Sequence, residues 1–354
     1  MRKSVLFIAF GFASCFAIAD NAKLGIYVED EVSNAPLQNV NVIASFEDDI
    51  GWRAWTDSPK PVIARGVTDE NGICRLSGKT NCGRSSIWVE QAPNGYYKSR
   101  HGGHVKYESR SLFGTWQPEN IVITVALQRV EHPIPLCVRF AEKRNDKGRL
   151  GGFDGTNAVL QYDFIKGDWL PPEGEGTYAD MTIRTHYDLR EIVTNSVSVL
   201  YFYDFTNEIE FSGAGNGLYE ESFKDKNCGI KIRVAPEDGY VSSKTLRFGS
   251  KKNIFGKGGV NMFMKYYKDS DEDRCYCFRI RSKFNNEGEL TEAYYGKIYG
   301  DFNFKGHMQT GFDGVQFLYY LNPKPLDRNL EWDMKNNMAN ENAKSRRQRF
   351  YGEP

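Results

Sequence analysis

Ile121-Val122-Ile123-Thr124-Val125-Ala126-Leu127 is the stretch on which the fold turns. It is rich in β-branched residues and repeats with period two, so one face of an extended strand is buried and the other is not. The same signature recurs outward in both directions. Leu24–Val28 and Val40–Val42 alternate ahead of it. Behind it come Leu136–Phe140, Ala158–Phe164, Met181–Thr185, Val197–Phe205, Ile230–Val234, Cys275–Arg281, Tyr294–Phe304 and Val315–Leu321. These runs are short, rich in β-branched and aromatic residues, and separated by Gly, Asn and Asp clusters. Glu70-Asn71-Gly72, Pro93-Asn94-Gly95 and Asn286-Glu287-Gly288 read as tight turns, because Asn and Gly tolerate positive φ. No long stretch carries a 3.6-residue apolar period, and Tyr187–Val193 is the best short helix candidate. The expectation is an all-β chain of sandwiches or jelly rolls.

Its size divides that expectation in two. With 354 residues, two globular domains are expected, and 20 Tyr with 23 Phe can fill their cores. Forty-six basic residues balance 46 acidic ones, which argues against a dedicated nucleic-acid binder. Past the N-terminus no apolar run is long enough for a membrane span. His132-Pro133-Ile134-Pro135 reads as a stiff linker, since paired prolines disfavour a central strand. The domains expected are 20–130 and 131–335, followed by a polar, basic tail at 336–354.

Residues 1–19 read as a secretory signal peptide. Arg2 and Lys3 form a basic head, Val5–Phe16 is apolar, and Ala17-Ile18-Ala19 is an A-x-A cleavage site before Asp20. Phe12-Ala13-Ser14-Cys15 is a looser match to a lipobox, with Phe in place of the usual Leu. Export to the periplasm, cell surface or medium is expected, with cleavage after Ala19. Removing Arg2 and Lys3 leaves the acidic residues two in excess, so no strong field steers a charged partner. The six cysteines beyond the leader are Cys74, Cys82, Cys137, Cys228, Cys275 and Cys277. An oxidising compartment makes Cys74, Cys82, Cys228, Cys275 and Cys277 disulfide candidates, in a pairing that spacing leaves open. Cys74 and Cys82 fit one hairpin, and Cys275 and Cys277 share a strand face.

Residues 24–128 resemble a carboxypeptidase regulatory-like domain, a β-sandwich of the transthyretin kind. Val28-Glu29-Asp30 matches a first strand, and Ala35-Pro36-Leu37-Gln38-Asn39-Val40-Asn41-Val42 the family's P-L-x-x-V-x-V segment. Gly66-Val67-Thr68-Asp69-Glu70-Asn71-Gly72-Ile73-Cys74 is similar to its T-D-x-x-G-x-F turn, with Ile73-Cys74 replacing the usual aromatic. Ala92-Pro93-Asn94-Gly95-Tyr96-Tyr97 sits where the family has its G-Y end. The resemblance implies a non-catalytic module for scaffolding or attachment. Locally, Pro36 presets a turn, Asp69 can accept hydrogen bonds from the amides of its own turn, and Gly72 supplies positive φ. The segment Phe46–Arg65 is long for the family, and its Trp52, Arg53 and Trp55 are the binding candidates, as an aromatic platform for sugars or peptides. His101 and His104 form a loop pair short of the ligands a metal site needs.

The later region resembles the concanavalin-like sandwich in strand density. Asn207-Glu208-Ile209-Glu210-Phe211 resembles the E-I-D-x-x-E strand of family 16 glycoside hydrolases, making Glu208 and Glu210 the catalytic candidates. Carboxylates two apart on a strand share a face, and retaining glycosidases need a pair about 5–5.5 Å apart. The family's third acid falls on Gly213. Asp269, Asp271 and Asp273 open like a Ca²⁺ loop, but Arg274 stands where its glycine belongs. Leu326–Met338 reads as a wrapping segment pinned by Leu330 and Trp332. No cofactor is expected. The main reading is an exported, non-catalytic binding or scaffolding protein, with polysaccharide or a surface protein as partner. Its rivals are a glycoside hydrolase using Glu208 and Glu210, and a structural or assembly protein with no small ligand.

Overall fold

The computed structural model describes residues 21–47, 61–97, 103–111, 114–144, 157–194, 199–222, 232–255, 261–269, 274–307 and 311–339. Every regular element among them is a strand, so the chain is all-β. It divides into two compact units, Met1–Arg129 and Val130–Pro354. None of the described residues forms a helix long and apolar enough to cross a membrane.

In the first unit, β1 (Asn21–Asp30), β4 (Ile73–Lys79) and β9 (Ile121–Leu127) form one sheet in the order β4-β1-β9. A second sheet orders β3 (Val62–Val67), β2 (Asn41–Phe46), β5 (Arg84–Gln91) and β6 (His104–Lys106). A ribbon joins β7 (Ser109–Arg110) to β8 (Trp116–Gln117). β9 runs parallel to β1, with Leu24 opposite Ile121 and Val28 opposite Val125. Both strands therefore turn the same alternate residues inward. They meet Val42, Ala44 and Phe46 of β2 and Ile87 and Val89 of β5 in one core.

The turn between β3 and β4 follows from its residues. Asp69 accepts from the amides of Asn71 and Ile73, each at 2.9 Å. Gly72 adopts φ +72°, and a Cβ there would lie 2.6 Å from the carbonyl oxygen of Val28. Asp30 does the same service at the end of β1. It accepts from the Ser33 amide and hydroxyl at 2.8 Å, from Tyr96 Oη at 2.9 Å, and from Arg129 Nε. The Ser33 amide in particular holds its carboxyl well below the usual range, against the opposing effect of burial.

In the second unit, one six-stranded sheet orders β15 (Gly217–Ser222), β18 (Arg274–Phe284), β19 (Leu290–His307), β20 (Gly311–Leu321), β10 (Ile134–Arg144) and β21 (Trp332–Asn337). The other orders β12 (Asp168–Trp169), β11 (Asn157–Asp163), β13 (Met181–Thr194), β14 (Val199–Phe211), β16 (Ser243–Phe255) and β17 (Asn261–Lys268). Pairing is antiparallel except for β10 with β21. Aromatic rings fill the space between the sheets. Phe164 stacks on Phe278 with centroids 4.4 Å apart, and Tyr162 meets Tyr319 edge-on. The buried Tyr319 hydroxyl donates to the Phe164 carbonyl at 3.0 Å, which removes the cost of burying it.

The outer face of the first of these sheets is covered too. Leu330 is fully buried with Ile232, Ala235, Cys275, Cys277 and Tyr295, while Trp332 packs on Tyr320. The Leu330 amide donates to Arg233, and the Ala235 amide to Arg328. This cover is why Cys275–Phe278 is buried on both faces rather than alternating.

Several expectations need correction. Tyr187–Val193 lies in β13, not a helix. Its pairing with β14 shifts register between Leu189 and Glu191, and the extra residue breaks the alternation that would have marked a strand. Ile232–Val234 forms no strand and makes only the bridge Val234 to Asn329. Pro135 lies inside β10, at a register shift against β21 where no ladder amide is required. Cys74 lies in β4, and β4 and the strand after Cys82 belong to different sheets, so the two do not share a hairpin.

Candidate functional site

β14 sets the register of the outer face of its sheet. Phe205, Asn207, Ile209 and Phe211 are buried, which turns Asp204, Thr206, Glu208 and Glu210 outward. Glu208 lies directly opposite Arg184 and Thr245, and Glu210 opposite Thr182 and Ser243. None of these is an acid. Glu210 pairs with Arg184 at 3.4 Å, and both side chains are about half exposed (49% and 52%). Gly213, at the position of the third acid, adopts φ +92° in the turn after the strand.

Two residues back along β14, the same face opens into a polar cleft of about 400 Å³. Arg190, Asp204, Thr206, Arg247, Lys251, Tyr267 and Asp269 line it. Four strands and the residue that follows β17 supply them, and Gly249 explains how they fit together. It pairs with Asp204 on one side and Tyr267 on the other. A Cβ there would stand 2.2 Å from the Tyr203 carbonyl oxygen and 2.9 Å from the Tyr267 hydroxyl. The bare backbone lets Tyr267 lie across β16 and donate to Asp204, which Arg190 also engages. Lys251 Nζ sits 4.5 Å from the centre of the Tyr267 ring. Asp269 accepts from the Arg247 amide at 3.0 Å through one oxygen. Among the described residues the Arg247 guanidinium and the Lys251 ammonium meet no acid.

Other ionised groups of the unit are enclosed, among them Asp163, Asp180 and Glu331. Arg281 donates to Asp180 at 2.9 Å and Asp163 at 2.7 Å, and its guanidinium stacks on Tyr178. Asp163 also accepts from the amides of Lys166, Thr177 and Tyr178, and Asp180 from that of Phe164. Burial raises the Asp180 carboxyl despite Arg281. Burial acts on Asp163 too, but the Lys166, Thr177 and Tyr178 amides together with Arg281 outweigh it and its value falls. Glu331 accepts from the amides of Glu131 and His132, both at 2.7 Å.

Asp269 faces the cleft, whereas Asp271 and Asp273 lie outside the described residues. So do Trp52, Arg53, Trp55, His101 and Cys228. His104 Nδ1 lies 3.1 Å from the Ser86 hydroxyl. Cys275 is disulfide-bonded, while Cys74, Cys82, Cys137 and Cys277 are free thiols. No three His, Cys, Asp or Glu side chains among the described residues gather as a metal site. Sequence reading missed the cleft because its residues span 190–269. The one local signal was a glycine in the middle of an alternating strand.

No protein-family model matches the chain, and no curated protein is similar to it. Among solved structures it is similar to a streptococcal ancillary pilin at 13% identity, over 70% of this chain and 62% of that one, with TM-score 0.22. The shaft pilin SpaA of Lactobacillus rhamnosus GG matches at 12% identity over 56% of this chain and 90% of the pilin, TM-score 0.20. BcpA, the major pilin subunit of Bacillus cereus, matches at 11% over 84% and 95%, TM-score 0.22. The chain thus spans less than two thirds of the ancillary pilin, and TM-scores this low do not define a shared fold.

Proposed function

We propose that this chain is an exported, non-catalytic structural module that holds or connects components of a cell surface. The observation that carries the reading is the use of its buried carboxylates. Asp30, Asp163, Asp180 and Glu331 are each almost fully buried, and each is filled by donors from neighbouring turns. Groups so enclosed fasten loops to sheets and lie out of reach of a substrate. The basic, apolar and A-x-A pattern of residues 1–19 supports export. The Asp69 and Gly72 turn supports an attachment role for the first unit, of the carboxypeptidase regulatory-like kind.

The test sets this reading against hydrolysis by Glu208 and Glu210. The full chain is incubated with soluble polysaccharides and new reducing ends are measured. Cells expressing it are cross-linked in parallel. The expected result is no release of reducing ends, with the chain recovered in high-mass surface species. Release of reducing ends that disappears in Glu208→Gln would overturn the proposal.

A further inference from the structure

The structural role makes no use of the cleft beside Tyr267. We infer that it binds an extended, carboxylated saccharide, a segment of an acidic polysaccharide at least two rings long. This goes beyond the structural reading and does not rest on it.

The charges of the cleft select the ligand. Arg190 and the Tyr267 hydroxyl engage Asp204, which leaves that carboxylate satisfied. The Arg247 guanidinium and the Lys251 ammonium are then the cations open to a ligand, with one oxygen of Asp269 as the open acceptor. A guanidinium fork matches a carboxylate with two parallel hydrogen bonds. Lys251 is held against the Tyr267 ring, so its charge stands in a fixed place. Both cations project from one face of β16, four residues apart, roughly 13 Å between Cα atoms at about 3.3 Å per residue. A polymer with a carboxylate on successive rings can meet both cations, one ring to each.

Asp269 and Thr206 complete the selection. A carboxylate facing solvent beside two cations accepts from a sugar hydroxyl, and the Thr206 hydroxyl can donate to or accept from another. Inorganic sulfate has no hydroxyl to donate to Asp269, whereas a sugar ring has several. The floor of the cleft is the face of β14 and β16, and the backbone of β16 is paired with β14 and β17. A peptide lying on that floor finds no backbone ladder to join, and only the outer edge of β17, the last strand of the sheet, could offer one. The volume, about 400 Å³, falls within the about 300–1,000 Å³ of small-molecule sites.

The experiment is calorimetric titration of the full chain, at low salt, with two- to four-ring fragments of pectate, alginate and hyaluronan. Methyl-esterified pectate fragments, a poly-glutamate peptide and inorganic sulfate are the comparison probes. The expected result is binding of at least one acidic fragment, at least tenfold weaker for its esterified form where pectate binds, and weakened by salt. Arg247→Gln and Lys251→Gln each lower affinity roughly tenfold, the loss expected for one charge-assisted contact. Lys324→Gln, outside the cleft, leaves affinity unchanged, and thermal midpoints verify that the variants fold. The inference is overturned if none of the three acids binds, or if affinity is undiminished in a folded Arg247→Gln variant. It is also overturned if poly-glutamate binds as tightly or sulfate displaces the fragment at equal concentration. Reducing-end release and surface cross-linking are read separately, so failure here leaves the structural role standing.

Discussion

Lys297 Nζ donates to the carbonyl oxygen of Ile232 at 2.8 Å from a wholly buried position on β19. The hydrogen bond ties the covering segment to the sheet beneath it, and the amine stands 5.3 Å from the Tyr320 ring centre. Burial pushes this amine down to about 7 from its ordinary 10.5, with Cys277 and Glu331 acting the other way and Arg233 adding to the fall. Between those values the unfolded chain binds a proton that the folded chain does not. Stability therefore rises with pH from about 7 toward 10.5, and this contribution is lost as pH falls through 7. Lys297→Met should flatten the rise, and at pH 6 it should be no less stable than the parent. Urea midpoints at pH 6, 8 and 10 check this, and an unchanged slope in the variant refutes it.

The same cover shields Cys277. Its thiol is fully buried, and burial pushes it up to about 12, the nearby Lys297 offsetting part of that effect. A thiolate is the reacting form, so Cys277 should resist iodoacetamide at pH 8 in the native chain. The half-buried Cys82 should be alkylated first. Mass spectrometry of timed digests reads the order, and full labelling of all four free thiols should appear only in denaturant.

Asp30 gives the first unit an acid limit. Its carboxyl is held below the ordinary 3.8 by the Ser33 amide and hydroxyl, Arg129 and Tyr96. A carboxyl depressed on folding stabilises the folded state above its unfolded value, and the contribution is lost as pH falls below it. Asp30→Asn should cost about 2–3 kcal/mol at pH 7, the scale of hydrogen bonds to a charged group, and a smaller amount at pH 2.5, where the unfolded chain is already largely protonated. Denaturant curves at the two pH values decide it, and an equal loss at both would contradict this account.

These groups show where sequence reading reaches and where it stops. Residues 121–127 face alternately in and out as their period requires, because alternation is local to one strand. The Asp69 turn is equally local. The parallel pairing of β9 with β1 is not, since residues 24 and 121 meet only once both sheets exist. β16 was passed over because Arg247, Lys251 and Lys252 dilute its apolar residues, though Leu246 and Phe248 still point inward. The cleft was hidden for the same reason. Its chemistry is carried by register across four strands, and register is a tertiary property.

Arg281 holds two acids at once and does so from φ +54°. A non-glycine residue in the left-handed region is strained, and the strain persists only where surrounding contacts fix it. Here the contacts are Asp163, Asp180 and the Tyr178 ring. Arg281→Lys keeps the charge but loses the fork that reaches both acids. It should destabilise the larger unit by about 3 kcal/mol, as expected when buried carboxylates lose a partner. Arg281→Gly relieves the strain but leaves both acids unpaired, so it should be no better than Lys. A glycine variant as stable as the parent would show that the clamp contributes nothing.

Gly249 offers the sharpest separation of fold from cleft. A methyl group there meets the Tyr203 carbonyl at 2.2 Å and the Tyr267 hydroxyl at 2.9 Å. The carbonyl belongs to the paired β14 and cannot withdraw, while the Tyr267 side chain can swing away. Gly249→Ala should therefore cost about 1–3 kcal/mol and expel the ring from its place beside Asp204. Tyr267→Phe removes the hydroxyl alone and should cost about 1 kcal/mol, with the ring still beneath Lys251. Binding at the cleft should follow the ring rather than the stability. It should survive Tyr267→Phe, in which the Lys251 platform persists, and fail in Gly249→Ala, in which it does not. Calorimetric titration of both variants beside their denaturation curves distinguishes the two effects, and equal affinity in Gly249→Ala would remove Tyr267 from any part in the cleft.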